Sequence, residues 1–375
     1  MIGIAEAFSP RYAQARQKFL QGCVSAGLTV EPHAHPLKGR DGEDLSMDVA
    51  LDGDANAQNL LIVSSACHGA EGHCGSGVQV FALHDAEWRE KAKAQGVAVL
   101  YVHALNPHGF SYGRRVTHEN VDLNRNFIDF SKPVPVNEPY AKLHDLLLPA
   151  TWPPTPENQA AVDKWIAKHG ATAYQAAVTS GQYQFDDGLF FGGKAPTWSN
   201  KTIRSVLKRH AGNAKRIAWI DLHTGLGPNG LGERIFACRD DKVAYARANA
   251  WWGTPAAPVT SIYDGSSTSA LLRGLMWDAV YEECPQAEYT GIALEYGTLP
   301  ILEVTGALRA DHWLHKHPQA PADLADGIRA RMLEAFYTDT DAWRGQIVSQ
   351  ARQAMFQAAD GLSGRPDRSA QAPKS

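Results

Sequence analysis

The sequence predicts an α/β protein: a mixed, mostly parallel central sheet with helices on both faces, in one domain with sizeable insertions. Apolar, β-branched runs at 60–63, 97–102, 217–222 and 290–295 read as buried strands. The segments between them place apolar and charged residues at helical period, and strands alternating with helices are the pattern of a layered α/β sheet. With 375 residues, 44% apolar and 20% charged, the composition is globular and long enough for a large core.

Taken in order, Ser9 and Pro10 suit the N-cap and first position of an amphipathic helix that runs to near Gly27. Extended segments at 28–36 and 46–51 flank the turn-rich KGRDGED. The strand at 60–63 leads into a glycine-rich turn, then a helix to about Ala94 and the strand at 97–102. A loop-rich region follows at 106–130, and SKPVPVNEPY is too short for an interdomain linker. Helices are expected at 138–148, 156–169, 199–211, 241–252 and 268–280, with two further helical stretches closing the chain near Ala359. Residues 1–359 thus read as a single domain. The small, polar stretch DGLSGRPDRSAQAPKS, 360–375, reads as a disordered tail.

Several classes of function are excluded by the bulk properties. A net charge of −4, with no basic run interleaved with aromatics, gives no reason to bind nucleic acid. No eighteen-residue apolar window predicts a membrane span, and the N-terminal stretch lacks the basic and apolar regions of a secretory signal. Five scattered cysteines, an odd number, fit buried hydrophobes in a reducing compartment, so a cytoplasmic location is expected. Oligomeric state is left open.

The chemistry concentrates at strand ends. In LIVSSACHGAEG, His68 and Glu71 follow the first central strand, and in IAWIDLHTGLG, His223 falls at the end of another. Such ends are where open α/β sheets bind ligands, and a His/Glu/His set with a fourth position free is that of a catalytic zinc. HxxE alone is weak, since about one chance match is expected in a chain with this many histidines. His84 and Glu87 share the spacing but sit in a stretch of helical period, and read as a solvated helix face. Asp221 precedes His223 by two residues, so in a strand both share a face, and the carboxylate either fixes the imidazole or caps a local amide. Cys67, His68, His73 and Cys74 lack the paired spacing of a closed structural site.

The segment NPHGFSYGRRVTHENVDLNRNF, 106–127, is rich in Arg and Asn, with Val121, Leu123 and Phe127 as expected anchors. Asn124 beside Arg125 suits the grip of a carboxylate, and Arg114 or Arg115 suits a developing oxyanion. No GxSxG elbow or GxxxxGK(S/T) loop is present.

The ordered set HGAE, RRVTHENVDLNRNF, DLHTG and ALEYGT, spanning residues 68–298, resembles the zinc carboxypeptidase family, especially bacterial members related to the aspartoacylase and succinylglutamate desuccinylase branch. The resemblance implies one Zn²⁺ ion held by His68, Glu71 and His223, with Glu295 as general base, Arg115 at the oxyanion, and Asn124 and Arg125 at a substrate carboxylate. It also implies a tyrosine on a loop before the catalytic glutamate. Tyr263, Tyr281 and Tyr289 are candidates, and Tyr263 in SIYDGSSTS is preferred for its glycine- and serine-rich surroundings. The implied substrate is a small peptide or an acylated amino acid. The alternatives are an N-acyl amino acid amidohydrolase of the aspartoacylase type, or an inactive binding protein on the same scaffold.

Overall fold

The four apolar runs form the centre of one eight-stranded sheet in a computed structural model that describes residues 2–255 and 257–364. The strands are β1 Val30–Lys38, β2 Asp44–Asp52, β3 Asn59–Ser64, β4 Val97–His103, β5 Arg216–Asn229, β6 Gly232–Phe236, β7 Thr260–Ser261 and β8 Glu288–Gly297. Their order is β1-β2-β4-β3-β5-β8-β6-β7. Neighbours β4, β3, β5 and β8 pair in parallel, while β1, β2 and β6 add antiparallel pairings at the flanks. Every residue of β4 is buried, as are residues 60–64 of β3, so alternating side chains are covered on both sheet faces.

Three departures from expectation have local causes. The first long helix starts at Tyr12 rather than at Pro10, and the Ser9 carbonyl instead lies 2.9 Å from His73 Nδ1. The helix expected up to Ala94 is two helices, Gly72–His84 and Ala86–Ala94, divided by Asp85, whose carboxylate caps the second through Trp88 N. No helix covers 268–277; only Asp278–Glu283 is helical. There Gly274 takes φ 73°, its carbonyl accepts from Phe127 N, and Met276 N donates to Asn124 Oδ1, so the backbone bonds outward instead of within a helix.

At the C-terminal end three helices stand where two were expected: Ile301–Lys316, Ala322–Phe336 and Asp341–Ser363. The last passes the expected domain boundary at Ala359 because Leu362 is buried and Lys91 holds Asp360 at 2.7 Å. The remainder of the expected tail, 365–375, lies outside the described residues. Among the described residues no helix is long and apolar enough to cross a membrane, and the five cysteines are buried and free.

Candidate metal centre and its cavity

Three parallel strands deliver the chemistry to one end of the sheet. β3 ends at Ser64, and His68 follows just before the tight turn Gly69–Glu71. That turn lies against Gly109 so closely that a Cβ on Gly69 would meet the Gly109 carbonyl carbon at 2.0 Å. The Gly69 and Ala70 amides donate to the Arg115 and Arg114 carbonyls, at 3.1 and 2.9 Å, so the two loops are fastened together. β5 runs further than expected, to Asn229, and His223 lies within it. Regular pairing with β8 nevertheless stops at Thr224, with His223 directly opposite Glu295.

His68, Glu71 and His223 converge, each offering a ligand atom within 4.8 Å of the others, and all three are buried. His68 Nδ1 lies 2.8 Å from Glu71 Oε1 and His223 Nδ1 lies 2.9 Å from Glu71 Oε2. The opposite nitrogens are backed by carboxylates: His68 Nε2 is 3.3 Å from Asp122, and His223 Nε2 contacts Asp221. Asp221 is held in turn by Ser64, whose hydroxyl also accepts from Trp219. Two imidazoles presenting Nδ1 inward with carboxylates behind them, plus one carboxylate, fit a divalent zinc ion. Cys67 groups with Asp221 and His223 in a second triplet. Burial and the Asp221 charge push its thiol well above the ordinary range, which disfavours the thiolate that a metal needs.

The charges are strongly coupled. Burial acts to raise the Glu71 carboxyl, but the His68 and His223 charges outweigh it and hold it below the usual range. Burial opposes a charged His223, yet Asp221 and Glu71 raise it well above its ordinary value. Glu295 is 8% exposed and accepts from Leu226 N at 3.0 Å. Its carboxyl is pushed up to about 8 by burial and by the charge of Glu71.

Both arginines expected from the sequence face the same cavity. Arg115 donates to Asp122 at 2.9 Å and Glu71 at 3.2 Å, and its Nη2 is 2.8 Å from His68 Nε2. Arg114 turns away into an ion pair with Asp311. Arg125 donates Nε and Nη2 to the Thr179 carbonyl and Nη1 to the Asn124 carbonyl. Its bed is close: a Cβ on Gly181 would lie 2.7 Å from Arg125 Cδ. Asn124 accepts from Met276 N through Oδ1, which turns its amide donor end toward the cavity it lines. Asp122 joins the two groups, since it also accepts from Asn124 N. Burial would raise its carboxyl, but Arg115 and Arg125 hold it well below the usual range.

Tyr263 departs from expectation. It is 39% exposed, its hydroxyl donates to the Cys238 carbonyl at 2.6 Å, and it is not part of the cavity wall that holds the metal-site residues. The backbone bond fixes the ring beside the cavity instead. His84 and Glu87 fall on separate helices, and Glu87 pairs with Arg352.

The cavity encloses about 90 Å³, and away from the charged residues its wall is apolar, including Ile235, Ala237, Ile262, Leu275 and Ala293. Sequence reasoning missed the contributors from 175–190, namely Gln175, Thr179 and Phe190. The one sign of Phe190 in the sequence is an aromatic pair between glycines in GLFFGG.

This mixed α/β arrangement of sheet and helices is shared with solved structures. The structure is similar to thrombin-activatable fibrinolysis inhibitor at 13% identity and a TM-score of 0.53, covering 94% of this chain and 74% of that one. It is likewise similar to the bovine form solved in complex with tick carboxypeptidase inhibitor, at 12% identity and a TM-score of 0.55, covering 96% and 99%. The chain belongs to the family described as protein of unknown function DUF2817, whose model matches residues 8–350. No curated protein matches the sequence.

Proposed function

We propose that this chain is a zinc-dependent hydrolase of the metallocarboxypeptidase type that cleaves an amide bond beside a free carboxylate. The observation that carries the reading is the convergence of His68, Glu71 and His223 in a cavity that also presents Glu295, Asn124, Arg115 and Arg125. Held by the three ligands, zinc would supply Lewis acidity toward a carbonyl and lower the pKa of water. Glu295, directly opposite His223 and lining the same cavity, takes the proton of the attacking water and returns it to the leaving nitrogen. Arg115 donates Nε to Asp122 and Nη1 to Glu71 and keeps further N–H groups for the oxyanion. Arg125, with three of its five N–H groups on carbonyls, and the Asn124 amide hold the substrate carboxylate. No covalent intermediate with the protein is needed.

The apolar wall favours an apolar side chain next to that carboxylate. A volume of about 90 Å³ is far below the roughly 300–1,000 Å³ of pockets for drug-sized ligands, and suits one side chain at a time. An N-acyl amino acid, the substrate expected of the aspartoacylase branch, would meet the same residues. The test is metal analysis followed by a hydrolysis screen of dipeptides, peptidoglycan peptides and N-acyl amino acids, with Glu295→Gln as control. One zinc per chain and hydrolysis of apolar substrates bearing a free carboxylate are expected, both activity and its chelator sensitivity being lost in the variant. Turnover unaffected by a chelator, or retained by Glu295→Gln with zinc bound, overturns the assignment. A zinc-loaded protein silent across the screen points to a binding protein on the same scaffold.

A further inference from the structure

Phe190 sits where the backbone resists a side chain of its kind. Its φ is 52°, the left-handed region that bulky residues rarely enter, yet the ring is 5% exposed and lines the cavity. The Arg115 guanidinium carbon lies over the ring at 5.0 Å from its centroid, and that of Arg125 at 5.8 Å. These are two like charges in one desolvated place. Burial lowers the pKa of Arg125, the charge of Asp122 opposes this, and the charge of Arg115 adds to the lowering.

The conformation of Phe190 is imposed by its surroundings. The Phe190 carbonyl accepts from Gln182 N at 3.1 Å, and the next carbonyl, of Phe191, accepts from Asp122 N at 2.8 Å. Tyr183 Oη donates to the Arg125 carbonyl at 2.6 Å, and Asn126 Nδ2 donates to the Gly192 and Ala195 carbonyls. The strand of chain that carries Phe190 is thus bonded directly to the segment that carries Asp122, Asn124 and Arg125. A strained backbone retained by so many bonds marks a side chain whose position matters.

We propose that Phe190 is a positioning residue that holds the Arg115 and Arg125 guanidinium groups at a fixed separation through the face of its ring, so that together they take a substrate carboxylate and the oxyanion beside it. This rests on the proposed function, in that it deepens the role of the two arginines. The ring supplies negative electrostatic potential to both cations where water is excluded, and it blocks either guanidinium from collapsing toward the other's carboxylate or carbonyl partners.

The experiment compares zinc-loaded wild type, Phe190→Leu and Phe190→Tyr for calorimetric binding of N-acetyl-leucine and of its uncharged amide. Leucine keeps an apolar side chain at the same φ but removes the ring face; tyrosine restores it. Wild type is expected to prefer the carboxylate. Phe190→Leu is expected to lose about tenfold in that affinity with zinc content intact, and Phe190→Tyr to recover it. If the leucine variant fails to fold, Phe190→Met makes the same comparison. Equal carboxylate affinity in wild type and Phe190→Leu, or equal weakening in the leucine and tyrosine variants, overturns the proposal while leaving the arginine clamp in place. A wild type that binds acid and amide alike removes the clamp itself, and Phe190's role with it. Wild type that prefers the carboxylate but hydrolyses no amide overturns only the hydrolase reading, and the loss in Phe190→Leu still supports the proposal.

Discussion

The candidate metal ligands and Glu295 stand on, or on the turn just past, the ends of β3, β5 and β8, whereas the arginine half hangs on irregular backbone at 114–126, buttressed by the chain at 179–195. In the first, burial on both sheet faces and parallel pairing set the backbone register that puts His223 opposite Glu295. In the second, side chains hold the backbone. Asn126 is fully buried, donates to the Gly192 and Ala195 carbonyls, and accepts from Thr197 N and Asn200. Reactive groups on a rigid sheet, with recognition groups on supported loops, permit specificity to change without moving the chemistry.

The sharpest way to break this division is Glu295→Gln. A drop in turnover of about 10²–10⁴-fold is expected, with zinc content unchanged and with carboxylate binding preserved. Parallel loss of carboxylate binding would mean that the two halves are not separable.

Next in size is a paired comparison of Asp122→Ala with Asp221→Ala. Each removes the carboxylate behind one imidazole, and zinc affinity is expected to fall about 10–100-fold in both. Asp122 also orders Arg115 and Asn124, so its variant should raise KM as well, while Asp221→Ala should act through the metal alone. Full zinc affinity in Asp221→Ala would return that residue to the role of a local cap.

Asn126→Ala tests the buttress. On the order of 1–3 kcal/mol of stability is expected to be lost in urea unfolding, since buried carbonyls and amides are left without partners. KM should rise while zinc affinity stays within about twofold, and a change in zinc affinity as large as the change in KM would join the two regions into one unit.

The smallest effect expected is in pH dependence. In the metal-free protein Glu295 is raised from 4.5 to about 8, so its folded form binds a proton more tightly than its unfolded form. The stability it contributes is complete below pH 4.5 and is lost as pH rises through about 8. The melting-temperature difference between wild type and Glu295→Gln should therefore shift against the wild type across that window. Added zinc should flatten the shift, because a cation offsets the charge of Glu71. A pH-independent difference in the metal-free protein would show that Glu295 is not perturbed.

The same division explains what was legible in the sequence. His68, Glu71, His223 and Glu295 stand at or near the ends of apolar runs whose composition identifies strands, and those strands form, with β5 running on to Asn229. Val121, Leu123 and Phe127, read as anchors, are buried. Asp122 was visible only as one polar residue among several, because its importance depends on Arg115 folding back from seven positions earlier. Phe190 and Thr179 reach the cavity from more than fifty positions beyond Arg125, through contacts that leave no periodicity. The helix expected at 268–280 failed for a related reason. Leu275 and Trp277 are buried by tertiary contacts while the backbone at Gly274 and Met276 serves Phe127 and Asn124.

The backbone contact between Gly69 and Gly109 bears on how this scaffold could be redesigned. Because neither position leaves room for a side chain, the turn behind the metal ligands tolerates no library, and diversification there would be spent on misfolded variants. The segment at 179–195 instead lines the cavity with the side chains of Thr179 and Phe190. An engineer seeking new substrates would therefore randomise that wall and leave the glycine pair untouched.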